Sequence, residues 1–286
     1  MPSLDLQPIE RSDNPSREHF QKHFYQPQKP VVLTRFSQNW PAVEKWTLDY
    51  FKNQHGNILV PIFEEAFANT GQSYTSADNK MRFGDYINLI QHEPSKLRMF
   101  LFNIFKHVPN LCNDFTYPNI IDNYLTKHPF MFFGGESSLV DVHYDLDLSD
   151  LFLTQFDGRK RVVMFEPKYS THLYRHPLTV SSNVDIREPD FNRYPKLVDA
   201  KGYECILERG ETLYMPRSYW HHVEYLDGGF SLTLRSLPKN PLTRAKSLWK
   251  IFNLTIMDHQ LSNLLGAKRW YNTKEKIAVN RANRLR

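Results

Sequence analysis

The sequence predicts a mostly β chain with helices on both flanks and an antiparallel sandwich or barrel at its centre. Three observations carry this expectation. Short β-rich runs recur at regular spacing between about Phe130 and Leu237, turn residues separate them, and helical periodicity appears before and after them. No internal repeat, low-complexity run or Gly/Ser linker marks a boundary, so periodicity alone divides the 286 residues. It suggests an N-terminal mixed α/β part (1–129) packed on the core, a β core (130–240) and a helical C-terminal segment (241–286).

In the first part, Pro30 to Leu33 reads as a short strand. Leu48, Tyr50 and Phe51 follow Thr47, an N-cap candidate, and Tyr86, Leu89 and Ile90 follow Asp85 at helical spacing. In the core, Leu151 to Phe156, the turn Asp157-Gly158 and Arg161 to Phe165 read as two tightly joined strands. Tyr203 to Leu207, Thr212 to Met215, His221 to Tyr225 and Phe230 to Leu234 follow, with turns at Arg209-Gly210 and Asp227-Gly228-Gly229. After Pro241, an apolar stripe (Leu248, Ile251, Phe252, Thr255, Leu261, Leu264, Leu265) predicts a helix that Gly266 caps.

Composition excludes several classes. A hydrophobic share of 41% supports a substantial core and excludes disorder as the dominant state. No stretch has the roughly 18 to 20 apolar residues that a membrane span needs, and the first residues lack signal-peptide order, so a cytoplasmic protein is expected. Two cysteines exclude a disulfide scaffold and four-Cys zinc sites. Thirty-six Lys and Arg against 31 Asp and Glu permit an anionic partner without naming one, and Arg281, Arg284 and Arg286 read as a solvated tail.

Chemistry first converges at Asp141-Val142-His143-Tyr144-Asp145. In an extended segment His143 and Asp145 share a face and offer a nitrogen and an oxygen to one point, while Tyr144 turns away. A lone His-x-Asp is common. The block from Gly210 to His221 adds a glycine turn, a short strand and a proline that deliver a third donor, His221. Two histidines and one carboxylate leave three adjacent positions open on an octahedral ion, the arrangement of non-haem Fe(II) oxygenases. The same donors suit zinc, although a hydrolytic zinc site needs a further base that the sequence does not show.

The run His143-Tyr144-Asp145, then Leu153 to Pro167, Ser182 to Asp185, Pro189-Asp190-Phe191, Tyr194-Pro195, Gly202-Tyr203-Glu204 and Gly210 to His222 resembles the cupin-like, Jumonji-C class of Fe(II)- and 2-oxoglutarate-dependent oxygenases. It is most similar to the branch with the asparaginyl hydroxylase of hypoxia-inducible factor and the hydroxylase of the tRNA base wybutosine. Pro30 to Leu33, Trp40-Pro41, Met81 and Tyr86 resemble that family's N-terminal part. The resemblance implies a double-stranded β-helix (jelly-roll) core, with iron held by His143, Asp145 and His221. It implies 2-oxoglutarate and O₂ as co-substrates, succinate and CO₂ as co-products, and a protein or tRNA substrate. Lys160 falls on the strand lysine that binds the distal carboxylate of 2-oxoglutarate, and strand alternation turns Arg159 and Arg161 the other way. His222 is expected to be a packing residue, and Ser181 to Asn183 fall where the substrate runs in relatives.

The chain departs from the family at Val140 and Leu151, where a threonine and an asparagine are usual. It departs again in the longer interval from Asp145 to Lys160, and at Arg235 and Leu237 in the last strand. Arg235 can pair bidentately with a co-substrate carboxylate or form a surface salt bridge. These departures leave a catalytically inactive metal-binding cupin as the alternative to an enzyme. A lysine demethylase reading lacks a histone-reader module. Trp249, Phe252, Ile256, Met257, Leu261 and Leu265 suggest a homodimer through the C-terminal helix, unless that helix covers its own sheet.

Overall fold

The structure is a computed structural model that describes residues 2–63, 79–100, 102–127 and 129–285; side chains of 246–248 and 250–255 also lie outside the description. Fourteen strands are present among the described residues: β1 (Asp5–Pro8), β2 (Arg11–Ser12), β3 (Val31–Leu33), β4 (Leu59–Ile62), β5 (Asn79–Arg82), β6 (Arg98–Met99), β7 (Phe130–Gly134), β8 (Leu139–His143), β9 (Asp150–Asp157), β10 (Lys160–Phe165), β11 (Lys201–Leu207), β12 (Thr212–Met215), β13 (Trp220–Tyr225) and β14 (Gly229–Ser236). The helices are α1 (Arg17–Phe20), α2 (Pro41–Lys45), α3 (Leu48–His55), α4 (Phe83–His92), α5 (Pro241–Leu265) and α6 (Ala267–Ala282).

One sheet runs β1-β11-β10-β13-β8, the other β2-β3-β12-β9-β14-β7-β6, and β4 pairs with β5 apart from both. From β7 to β14 the chain changes sheet at every step except β10 to β11, where it stays and inserts residues 166–200. This is the jelly-roll core. The two tightly joined strands expected from Leu151 to Phe165 are β9 and β10. They lie in different sheets, and the Asp157-Gly158 turn carries the chain across the edge of the sandwich. The turns at Arg209-Gly210 and Asp227-Gly228 do the same. They cluster: a Cβ on Gly229 would lie 1.9 Å from the Asp157 carbonyl oxygen, so two neighbouring corners pack backbone on backbone.

Three apolar clusters follow from strand alternation. Between the sheets lie Leu151 and Leu153 of β9, Val162 and Met164 of β10, Leu213 and Met215 of β12, and Val223 of β13. Alternate residues of the long sheet, including Phe152, Phe156, Phe230 and Leu232, pack outward against the N-terminal helices. Thr47 caps α3 by accepting the Tyr50 N–H at 3.0 Å, as expected. The helix expected around Tyr86, Leu89 and Ile90 is α4, with Asp85 in its first turn. Behind the short sheet, Val163, Phe165 and Trp220 meet the 166–200 insertion and Ala278 and Ala282 of α6.

The C-terminal helix reaches Gly266 (φ +81°), as its apolar stripe predicts, although Leu248, Ile251, Phe252 and Thr255 of that stripe have side chains outside the description. The chain then turns into α6, a second helix within the expected helical segment 241–286 whose own stripe the sequence periodicity did not mark. Arg281 is accordingly no solvated tail residue, because its guanidinium donates to the Arg175 carbonyl. Arg284 is exposed, and Arg286 lies outside the described residues.

The crossing turns supply a test. Gly229→Ala must push the Asp157 carbonyl aside, so we expect a loss of about 2–3 kcal/mol in urea unfolding. Arg209-Gly210 is the contrast, since a Cβ on Gly210 meets nothing within 4 Å.

Candidate metal centre

His143 and His221 face each other across the β8–β13 pair, their ring centroids 4.2 Å apart. Two residues further along β13, Val223 pairs with Val140, so β8 holds one residue more than β13 over this stretch. This β-bulge changes the parity of β8. Val140 faces the core between the sheets, Val142 the cluster behind, and His143 then turns inward beside His221. Tyr144 packs away from the site against Trp220, at a centroid distance of 4.9 Å.

Asp145 does not sit on the strand, as the extended-segment argument assumed, because β8 ends at His143. The loop nonetheless returns its carboxylate to the same point. Asp145 Oδ1 lies 3.7 Å from His143 Nε2, and one donor atom from each of His143, Asp145 and His221 falls within 4.8 Å of the others. His143 Nδ1 is 2.8 Å from the Asp141 carbonyl oxygen and His221 Nδ1 is 3.2 Å from that of Tyr219. An Nδ1–H donated to these carbonyls leaves each Nε2 lone pair for a cation.

The electrostatics favour the same occupant. Burial, reinforced by His221, pushes His143 down to about 4, and burial also lowers His221. Burial alone would raise Asp145, but Arg235 and the two imidazoles outweigh it and hold the carboxylate at about 2. At neutral pH the trio is therefore two neutral imidazoles and one carboxylate, the protonation state that metal binding requires.

Lys160 pairs with Tyr225 and Met164 with His221, which puts Lys160 on the inner face of the same sheet as the trio. It is 1% exposed, donates to Ser231 Oγ at 2.5 Å and lies 4.2 Å from the centre of the Tyr225 ring. Burial drives its ammonium well below the usual lysine range. Arg159 and Arg161 point outward to Asp227 and Glu204, as alternation predicts. On the facing sheet, Ser231, Thr233 and Arg235 of β14 stand opposite Gln155, Leu153 and Leu151. Thr233 Oγ1 and Gln155 Oε1 are buried without a hydrogen-bond partner. Arg235 reaches the trio itself, with Nη1 2.9 Å from both Asp145 Oδ2 and Asp147 Oδ2. Val140 and Leu151 line the interior with hydrocarbon. His222 faces the other way and is buried.

The cupin-like domain family matches residues 16–243. This chain belongs to that family. Its relatives include lysine-specific demethylase 8 of Xenopus tropicalis, 28% identical over 248 residues that cover 82% of this chain and 54% of the relative. The tRNA wybutosine-synthesizing protein 5 of Gallus gallus is 30% identical over 244 residues, covering 78% and 74%. The Jumonji C domain-containing protein 5 of Drosophila melanogaster is 28% identical over 243 residues, covering 79% and 59%. The chain thus spans about half the length of the first of these. Jumonji-C domains use Fe(II) and 2-oxoglutarate, and the residues of this cupin-like domain fit both. The donor set is two imidazoles and a carboxylate, which suits the metal, and the buried Lys160 amine near Thr233 Oγ1 and Gln155 Oε1 suits an anionic co-substrate.

One group that sequence reasoning missed comes from outside the matched region. Ser181 bridges to His143, and Ser182 N donates to the Val142 carbonyl, so the insertion borders the trio along the open edge of β8. Glu275 of α6 holds that border from behind. Its Oε2 accepts from Asn183 at 2.9 Å and lies 2.7 Å from His176 Nε2, while its Oε1 accepts from Arg193 at 2.9 Å and Tyr194 at 2.7 Å. Burial would raise this carboxyl, but His176, Tyr194 and Arg193 outweigh it and hold it at about 2, against 4.5 ordinarily. A depressed carboxylate stabilises the fold above its unfolded value, and this contribution fades as pH falls from 4.5 towards 2. Hydrogen exchange should therefore show α6 opening in that window. Glu275→Gln should already open it at neutral pH and flatten the acid dependence.

Proposed function

We propose that this protein is an Fe(II)- and 2-oxoglutarate-dependent oxygenase that hydroxylates a biomolecule. His143, Asp145 and His221 hold the iron, and Lys160 anchors the distal carboxylate of 2-oxoglutarate. The observation that carries this reading is Lys160: a buried cation with a hydroxyl and a ring for neighbours, on the inner face that also carries the trio. A cation so placed costs several kcal/mol unless an anion joins it. When bound, iron and co-substrate supply the oxidising power, with O₂ and 2-oxoglutarate consumed and succinate and CO₂ released as a C–H bond becomes C–OH. The protein's part is to place the co-substrate between Lys160 and the trio. Val140, Leu151, Val162, Met164 and Val223 wall the site with hydrocarbon and exclude water.

The names of the relatives point to lysine demethylation and to tRNA modification. Charge distribution favours a polyanion. Residues 241–286 hold ten Lys and Arg against two Asp and Glu, whereas residues 1–240 hold 26 against 29. Lys268, Arg269 and Lys276 lie exposed on α6, the helix that holds the border of the site, and Arg284 lies exposed just beyond its end. No helix among the described residues is long and apolar enough to cross a membrane. A cytoplasmic location accords with the two free cysteines.

Anaerobic loading with Fe(II), then succinate detection by NMR after air is admitted, tests the reading. Wild type should convert 2-oxoglutarate slowly alone and faster with bulk tRNA. Lys160→Ala should raise the 2-oxoglutarate requirement roughly 10- to 100-fold with metal affinity kept. A protein that binds Fe(II) and yields no succinate would instead be the inactive binding cupin.

We further propose a homodimer through α5. Leu242, Trp249 and Ile256 recur every seven residues and are exposed, Leu264 extends the row at 80% exposure, and Met257 and Leu265 flank it. Such a row is a seam for a second helix. Leu261 is only half-buried, and the side chain of Phe252 lies outside the description. Light scattering at micromolar concentration should give twice 33.9 kDa, falling to the single mass in Leu264→Arg; a wild-type monomer would exclude the dimer.

A further inference from the structure

We infer that Arg235 is a positioning residue that clamps Asp145 so that only one of its carboxylate oxygens faces the metal site. The inference rests on the metal-centre reading above and assigns Arg235 a task other than anchoring the co-substrate. Asp145 Oδ2 lies 2.9 Å from Arg235 Nη1 as an ion pair, without a hydrogen bond of its own because Nη1 donates to Asp147, while Oδ1 is the oxygen 3.7 Å from His143 Nε2. One oxygen is thus the nearer to His143 and the other is paired with the guanidinium. For an ion that must keep three positions open, this matters: a carboxylate binding through both oxygens would fill one of them.

The clamp is itself held. The same Nη1 lies 2.9 Å from Asp147 Oδ2, and Asp147 Oδ1 accepts from the Ser149 amide at 3.1 Å and the Ser149 hydroxyl at 2.8 Å. Between the two aspartates and the next strand, Leu148 adopts φ +51° although it carries a side chain, and it is buried. This tight turn aims Asp145 and Asp147 at one guanidinium. The Arg235 backbone is fixed as well, by the β9–β14 ladder and by the Leu125 N–H donated to its carbonyl at 2.8 Å.

A comparison of the two interior cations decides between clamp and anchor. Arg235 already faces two carboxylates, whereas Lys160 forms no ion pair among the described residues. A dicarboxylate gains most from the cation that has no anion yet, and a third carboxylate at Arg235 would crowd two already present. Lysine could not replace Arg235 fully, because a compact ammonium lacks the planar fork that fixes direction.

Mn(II) binding to the whole protein, followed by EPR of the free ion, tests the clamp without turnover. Partners behind metal ligands are typically worth 10- to 100-fold in affinity. Arg235→Gln should therefore weaken Mn(II) at least roughly tenfold, and Arg235→Lys should recover part of the loss. Asp147→Asn, which leaves Arg235 wholly to Asp145, should stay within about threefold of wild type. Titrating 2-oxoglutarate into each Mn(II)-saturated protein should then show near wild-type affinity in Arg235→Lys. Unchanged Mn(II) affinity in Arg235→Gln with weakened 2-oxoglutarate binding would make Arg235 the anchor and overturn the clamp. Equal losses in Asp147→Asn and Arg235→Gln would also overturn it, since the effect would belong to the loop and not to the guanidinium. Wild type that fails to bind Mn(II) would remove the metal-centre reading itself, a result distinct from either.

Discussion

One extra residue in β8 decides whether the three candidate metal ligands can meet. With strict alternation Val140 and Val142 would share the inner face, and His143 would point into the cluster that holds Trp220. The bulge between the Val140–Val223 and His143–His221 pairs reverses that parity exactly where the strand ends. Everything downstream depends on it. His143 meets His221, the released chain turns through Leu148, and Asp145 comes back to the imidazoles. The cost is a broken ladder at a sheet edge, and the insertion offsets it by pairing Ser181 and Ser182 along that edge.

Much of the fold was legible because strands and turns leave local signatures. The runs from Leu151 to Leu234 became strands at nearly the expected positions, and Thr47 and Gly266 took the capping places expected of them. What the sequence hid was partnership. Asp157-Gly158 looks the same whether the chain folds back beside itself or crosses to another sheet, since the turn fixes local direction and not which strand comes to lie alongside. The helix α6 went unmarked within the expected helical segment for a related reason. Its buried side is made of Ala278, Ala282, Trp270 and Lys274, so no stripe of large apolar residues announces it.

The site divides along similar lines. His143, Asp145, His221 and Lys160 stand in short motifs that a reader can recognise, and the structure gathers the first three within donor reach of one another. Ser231 and Thr233 were invisible for a physical reason. The run Phe230 to Arg235 alternates apolar with polar, which ordinarily means a solvated outer face. Here the apolar set packs outward on the N-terminal helices and the polar set turns into the sandwich. A covered outer face inverts the usual meaning of alternation. Glu275 was hidden by distance, because its four partners lie 81 to 99 residues away in sequence.

The inverted face explains how the fold tolerates Lys160. Removing an ammonium from water costs several kcal/mol after relaxation. The hydrogen bond to Ser231 returns roughly 1.5–3 kcal/mol, and the Tyr225 ring roughly 0.5–2 kcal/mol. Those two interactions offset the cost only in part, which is why the ammonium is driven towards its neutral form. An anion entering beside it would restore the charged form and bring an ion pair into a medium where such pairs are strong. The fold therefore carries a deficit that the proposed anion would relieve, which would link occupancy to stability. Thr233 Oγ1 and Gln155 Oε1, buried and without partners, add to that deficit from the facing sheet. A hydrocarbon interior would make a more stable sandwich. That this one keeps Lys160 and polar atoms without partners at its centre supports the proposed binding of an anion there.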